Sequence, residues 1–318
     1  MNRSILVSLL LLTILGSCNK EITFPDFEYQ TVYFAYQYPV RTVTFGEDVF
    51  NTDLDNQKKV KIFATTGGVY YAKSDVNIKV AVDNTLLGNG MIFGPNGGDI
   101  IAMPPKYFSL ASENIVIPKG ELTGGVEVQL TDEFFADPLA IKNAYVIPLR
   151  MTNVTNADSI LYNKDFIMYA VKYVNHWHGN YLRRGRDVFT GGINQTISRR
   201  TQYIENNEVK KLTTKSLTEI EFPIIYKDNT GANINCTLLL KFDASGKCTI
   251  SSLTSNITAT GTGEFVKKGD KNSWGNKDRD ALYLNYQVNL PSFNVSATDT
   301  LVMRDRAVTM EVFTPVNK

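Results

Sequence analysis

The chain has 318 residues, 43% of them hydrophobic, with 33 Lys and Arg against 32 Asp and Glu. That length is more than one core usually organises, so two domains are expected. The near-zero charge leaves no basic stripe for nucleic acid, and no apolar run is long enough to span a bilayer comfortably.

At the start, Arg3 supplies a short cationic head. Ile5 to Leu15 is apolar except for Ser8 and Thr13, and the chain turns polar at Asn19-Lys20-Glu21. This is the layout of a secretory signal. Leu15-Gly16-Ser17-Cys18 resembles the bacterial lipobox, in which Cys18 is lipidated and becomes the first mature residue. The expectation is a leader over residues 1–17 and a tether over 18–30. Contact with the membrane is then through lipid alone, at the outer membrane and facing outward. Loss of Arg3 leaves 32 basic against 32 acidic residues, a formally neutral mature chain.

Beyond the tether almost everything reads as strand. Thr31 to Tyr38 is rich in aromatic and β-branched residues, and Val60 to Thr65 ends at Gly67-Gly68. Val76, Ile78, Val80 and Val82 alternate with Asn77, Lys79, Ala81 and Asp83, a period of two with one dry face. Ile115 and Ile117 precede a turn at Pro118-Lys119-Gly120, and Val126, Val128 and Leu130 resume the alternation. Asp132 to Ile141 is the one weakly helical piece, limited by Pro138 to a turn or two. Tyr145, Ile147, Leu149 and Met151 share a face, while Pro148 on the other face indicates an edge or bulge. Phe166 to Val174 ends the series. Seven or so short strands predict an antiparallel sandwich over residues 31–174.

Asn175-His176-Trp177-His178-Gly179 reads as the seam. Residues 175–318 then offer strands near Asn180–Arg183, Thr201–Glu205, Leu217–Tyr226, Ile234–Phe242, Cys248–Leu253, Gly263–Lys268, Ala281–Leu290 and Leu301–Phe313. Hairpin spacing without helices indicates an up-and-down barrel or a second sandwich, and closure is favoured because it removes edges. Asp243-Ala244-Ser245-Gly246 reads as a turn that puts Cys248 opposite residue 240 or 241. Cys236 then lies too far away for a disulfide, and both thiols are expected free and buried.

Several segments carry a resemblance. They are Asn51-Thr52-Asp53-Leu54-Asp55-Asn56, Gly67-Gly68-Val69-Tyr70, Val80-Ala81-Val82-Asp83, Leu130-Thr131-Asp132-Glu133-Phe134-Phe135-Ala136-Asp137 and Tyr145-Val146-Ile147-Pro148-Leu149. Together they resemble an Ig-like domain of unknown function found at the front of lipoproteins in Bacteroidota glycan-utilisation loci. Gly261-Thr262-Gly263-Glu264-Phe265, Ser273-Trp274-Gly275 and Asp299 to Arg306 resemble the calycin-like domain of unknown function that accompanies it. The resemblance implies an Ig-like sandwich followed by a calycin- or lipocalin-like barrel, and a role in capturing or processing glycan. It brings no catalytic residue. By pattern alone, Gly179-Asn180-Tyr181 with Arg304 and Arg306 resembles the aromatic–arginine closure of lipocalin-like barrels, which implies that Tyr181 closes the barrel.

Motifs for chemistry are sparse. His176 and His178 point the same way if they lie on a strand, yet nothing completes a zinc set, so they read as seam packing. No G-x-S-x-G, H-E-x-x-H or Walker loop occurs. Asp53-Leu54-Asp55-Asn56 lacks the glycine and distant glutamate of a calcium loop and reads as a solvated Asx turn. No cofactor or metal is expected. Trp274 stands in a loop with Asn272, Asn276 and Arg279, the mixture that stacks on and hydrogen-bonds a sugar. The alternative is an indole folded back to cap the barrel end. Trp177 is a weaker candidate, since a seam needs an aromatic for packing. The expected function is non-catalytic binding of oligo- or polysaccharide beside other outer-membrane glycan-uptake proteins. A glycosidase using an unidentified carboxylate pair, or a structural or adhesin subunit, are the alternatives.

Overall fold

Alternation between apolar and polar residues organises the chain into strands almost throughout. The computed structural model describes residues 29–318 apart from Val69, Tyr70 and Asn89, so the leader, Cys18 and most of the tether lie outside the described residues. The first half holds β1 (Thr31–Tyr33), β2 (Pro39–Thr44), β3 (Lys59–Gly67), β4 (Val76–Val82), β5 (Met91–Phe93) and β6 (Ile101–Ala102). It continues with β7 (Phe108–Leu110), β8 (Asn114–Ile117), β9 (Thr123–Leu130), β10 (Tyr145–Thr155), β11 (Ser159–Ile160) and β12 (Phe166–Val174). Two single-turn helices interrupt them, α1 (Asp53–Asn56) and α2 (Asp132–Ala136). Past α2, Pro138 ends the helix and a 3-10 turn runs over Pro138–Ile141.

These strands form two curled half-barrel sheets. One has the order β11-β1-β3-β9-β7. The other runs β2-β12-β10-β4-β8, with β6 beside β10. The core lies between them, where Val76, Ile78 and Val80 of β4 and Ile115 and Ile117 of β8 are buried. The expected purely antiparallel Ig-like sandwich is corrected: β1 with β11, β2 with β12 and β6 with β10 all pair in parallel. Short segments that cross between the sheets re-enter along an existing strand instead of returning by a hairpin. Pro148 is also not at a sheet edge, because β10 is flanked on both sides. It sits where β6 has ended and β4 has only just begun, its carbonyl taking the Asp83 N–H. A missing N–H does little harm there.

The Asp53–Asn56 segment differs from a solvated turn as well. Asp55 is buried, accepting from Thr44 N (2.8 Å) and paired with Arg41. Burial pushes its carboxyl up, while those donors pull the other way.

The second half holds β13 (Gly179–Gly191), β14 (Gln195–Arg199), β15 (Glu208–Thr214), β16 (Glu219–Lys227), β17 (Asn233–Phe242), β18 (Lys247–Ser252), β19 (Thr258–Asp270), β20 (Arg279–Asn289) and β21 (Phe293–Asp305). β13 pairs with β21 over its whole length, closing an eight-stranded antiparallel barrel, with β14 added beyond the end of β15. Tyr181, Phe222, Leu238, Leu240, Tyr286 and Leu301 fill its interior. Cys236 and Cys248 point inward, unbonded to each other. Cys248 stands opposite Phe242, and burial pushes its thiol up to about 12.

The expected strand at Thr201–Glu205 is absent; a 3-10 turn at Ile204–Asn206 stands near it. β15 was not anticipated, since only Leu212 of Glu-Val-Lys-Lys-Leu-Thr-Thr is buried. The final barrel strand ends at Asp305. Beyond it, β22 (Glu311–Val312) and β23 (Pro315–Asn317) return to the first half and pair with β2 and β5.

Candidate functional site

Two halves joined by the four residues between β12 and β13 would swing unless the joint were bonded. Asn175 is fully buried and its amide donates to the Ser216 and Glu219 carbonyls at the turn from β15 into β16 (2.8 and 3.0 Å). Arg306, just past β21, does most of the fastening. Its Nε donates to His178 O (2.8 Å), Nη1 to Phe45 O (2.8 Å) and Glu47 O (3.0 Å), and Nη2 to Asn175 O (2.6 Å). One buried guanidinium thus bonds carbonyls of the first half, the linker and the start of the barrel. Glu47 and Lys267 add an ion pair across the joint.

The aromatic–arginine closure takes a different form from the expected stack. Tyr181 is fully buried and its hydroxyl donates to Trp177 O (2.8 Å). Trp177 in turn lies parallel to Phe242, ring centres 3.8 Å apart, and belongs to the barrel core. Arg304 stays exposed beside Asp305.

The histidines lie in the turn between β12 and β13, not on a strand, and they part company. His176 is exposed against Phe45, ring centres 5.8 Å apart. His178 is buried, its Nδ1 accepting from Thr214 N (3.1 Å). Burial, with Lys211 and Arg306 near it, holds the His178 pKa down at about 4. Among the described residues no group of three or more His, Cys, Asp or Glu is placed to hold a metal ion.

Around this joint lies a cleft of about 1080 Å3. The loop after β2 supplies Glu47, Asp48 and Val49, β13 and β15 supply Asn180 and Lys211, and the ends of β19 to β21 supply Phe265, Arg279 and Arg304. Four carboxylates and five Lys or Arg line it, so its wall is nearly balanced in charge. The Lys267 hydrogen bond holds the Glu47 carboxyl below its ordinary range. The Asp55 carboxyl, pushed up by burial, does not line the cleft.

Of the residues read from sequence as sugar contacts, only Arg279 lines this cleft, beside His176, Asn180, Arg304 and Arg306, which were read as seam or barrel closure. Trp274 is not displayed; in the loop between β19 and β20 it is folded back onto the barrel. The Arg279 guanidinium covers its ring at 3.7 Å, and the indole packs against Leu182, Ile204 and Val302. Their neighbours Tyr181 and Leu301 face the core, so this cluster sits on the outer wall. Asn272 and Asn276 are exposed but serve the turn, each with positive φ (45° and 54°), which Asn tolerates better than most residues. Spacing alone did not reveal that the arginine and the tryptophan occupy each other.

A second concavity, about 810 Å3, crosses the outer face of β17 to β21. Tyr283 is partly exposed there, with Thr262, Glu264, Asn285 and Thr300 around it. Sequence reading missed it, although Tyr283, Asn285 and Gln287 alternate with buried Leu284 and Tyr286 as the outward positions of β20.

Comparison with known proteins follows this division. Residues 176–307 match a family described as "Domain of unknown function (DUF5627)", and residues 27–158 match one described as a "-like, N-terminal domain". A solved structure from Bacteroides ovatus, of unknown function, is 44% identical and has a TM-score of 0.86, covering 91% of this chain and 99% of its own. An auxiliary nutrient binding protein from Bacteroides thetaiotaomicron is 14% identical with a TM-score of 0.39, covering 83% and 90%, a likeness that says nothing about function here. No curated protein matches.

Proposed function

We propose that this chain, which belongs to the same family as the Bacteroides ovatus protein and joins the "-like" N-terminal domain to a DUF5627 domain, binds carbohydrate non-catalytically in the cleft at its joint. The observation behind this is the character of the cleft: open, held in shape by Arg306 and Glu47–Lys267, and rich in donors and acceptors of both signs. Preformed hollows between units are where ligands commonly bind. A balanced wall suits a neutral polymer with many hydroxyls better than a polyanion. A glycosidase would need a carboxyl pushed up so that it keeps its proton, and the Lys267 hydrogen bond moves that of Glu47 the other way.

The lipobox-like sequence at Cys18 supports an outer-membrane anchor through lipid, facing outward, where polymers arrive and uptake proteins could share them. Loss of labelled palmitate from Cys18→Ser cells would support the anchor; unchanged labelling would remove it.

Affinity gels carrying host and plant polysaccharides test the binding. At least one should retard the protein, and Lys211→Ala or Asp48→Ala should reduce that retardation about tenfold. Retardation lost only in Tyr283→Ala would move the site to the outer groove. Release of products from labelled oligosaccharides would replace binding with hydrolysis.

A further inference from the structure

One wall of the barrel is incomplete. β15 pairs with β16 only at Thr213↔Glu221 and Thr214↔Ile220, and beyond Arg183 the partner of β13 changes from β15 to β14. Between these strands and the free edge of β16 lies a recess of about 310 Å3. Pro223 on that edge marks it. Thr237, opposite Pro223, turns its N–H away toward Thr254 (2.8 Å), so the Pro223 backbone faces the unpaired side of β16, just before the residues that line the recess. A residue with no amide hydrogen leaves no unpaired donor there.

Behind the recess is a buried cluster of charges. Asp299 accepts from Arg183 Nε and Nη2 (3.1 and 2.9 Å), Tyr286 Oη (2.6 Å) and Arg199 Nη2 (2.5 Å), and Arg199 also holds Asp187. Two guanidinium groups and two carboxylates balance, and Glu208 beside Arg183 is itself paired with Lys210, so the cluster is neutral without any ligand. Two donors are left over: the Tyr226 hydroxyl, on a residue 3% exposed, and Arg199 Nε, both buried without a partner. Both residues line the recess. Buried donors without acceptors are costly and rare in native proteins.

We infer that this recess is a second ligand site, separate from the cleft, which takes a single neutral sugar ring. Hydroxyl oxygens of the ring accept from Tyr226 and Arg199, while its C–H face lies against Phe189 and Ile224. The volume stands at the small end of ligand pockets, which suits one ring and not a chain. Asp187 and Asp299 already engage both guanidinium groups, and Lys227 stands exposed and hydrated at the rim, so a carboxylate-bearing sugar would enter with no uncommitted guanidinium to compensate its lost hydration.

The probes are the methyl glycosides of glucose, galactose and mannose, with glucuronate and galacturonate as charged counterparts, read by calorimetry and saturation-transfer NMR on the whole chain. One neutral glycoside should bind, the uronates should not, and Tyr226→Phe should weaken binding about tenfold. That variant should melt no lower than the parent, because it deletes an unpaired hydroxyl. Lys211→Ala, which tests the cleft through polysaccharide retardation, should leave glycoside binding unchanged. Absence of binding by all three glycosides, equal binding by Tyr226→Phe, preference for a uronate, or a water alone in the recess after soaking overturns the proposal. None of these outcomes alters the test of the cleft.

Discussion

His178 shows how one buried side chain ties the joint to pH. Folding takes its pKa from 6.5 down to about 4, because burial removes solvent and Lys211, Arg306 and Lys172 add positive field. The folded state therefore binds fewer protons than the unfolded one as acid is added. The stability involved is complete above about pH 6.5 and is lost as pH falls toward 4, roughly 3 kcal/mol in all. His176 is more exposed, but partial desolvation of its ring against Phe45 and the Arg306 charge also hold its pKa low, which acts in the same direction. Urea titrations across this window should show the fall in the parent and a flatter profile in His178→Gln. Equal slopes would mean that His178 does not report the joint. At this scale the two free thiols were legible in the sequence, since two residues far apart along a hairpin cannot meet. The pairing of Arg279 with Trp274 was not, because neighbours in a polar loop have no fixed rotation relative to one another.

Among the elements, β19 and β20 show how close approach constrains a barrel wall. Gly261 stands opposite Tyr286, and a Cβ there would lie 2.4 Å from Tyr286 Cβ and 2.5 Å from Asn285 O. Neither contact belongs to a flexible side-chain end, so the strands themselves would have to move. Gly261→Ala should cost about 2–3 kcal/mol, read as a lower urea midpoint with an unchanged slope. A midpoint equal to the parent's would show that the wall gives way easily. Strands with a dry face were plain in advance: β12 has the anticipated bounds, and β4 alternates as read from Val76 to Val80, with Val82 exposed at its end. β14 and β15 escaped because they flank the wall opening, where few side chains are buried and alternation fades. Pro223 within β16 was the available signal.

Over the whole molecule, the last residues bind the two halves together a second time. Phe313 packs on Phe93 and Tyr38, ring centres 4.7 and 5.5 Å apart, and Lys172 pairs with Glu311 (2.8 Å). Val40, Ile100, Val146 and Met168 complete this cluster on the outer side of the β2–β12–β10 sheet. Deleting residues 308–318 should cost about 3–5 kcal/mol, chiefly through Phe313. Calorimetry should then resolve two transitions, with the first half melting earlier. A single transition at the parent's temperature would show that the tail is dispensable.

The sequence by itself determined which stretches extend and which face of each is dry, since both follow from a period of two and from local turn chemistry. Tertiary structure alone decided which strands stand side by side, the parallel pairings, the return of the tail, the cleft around Arg306 and the opening beside β16. Alternation specifies a buried face but not the neighbour along an edge. That choice depends on contacts between residues more than a hundred positions apart, such as Arg306 with Phe45 and Arg183 with Asp299.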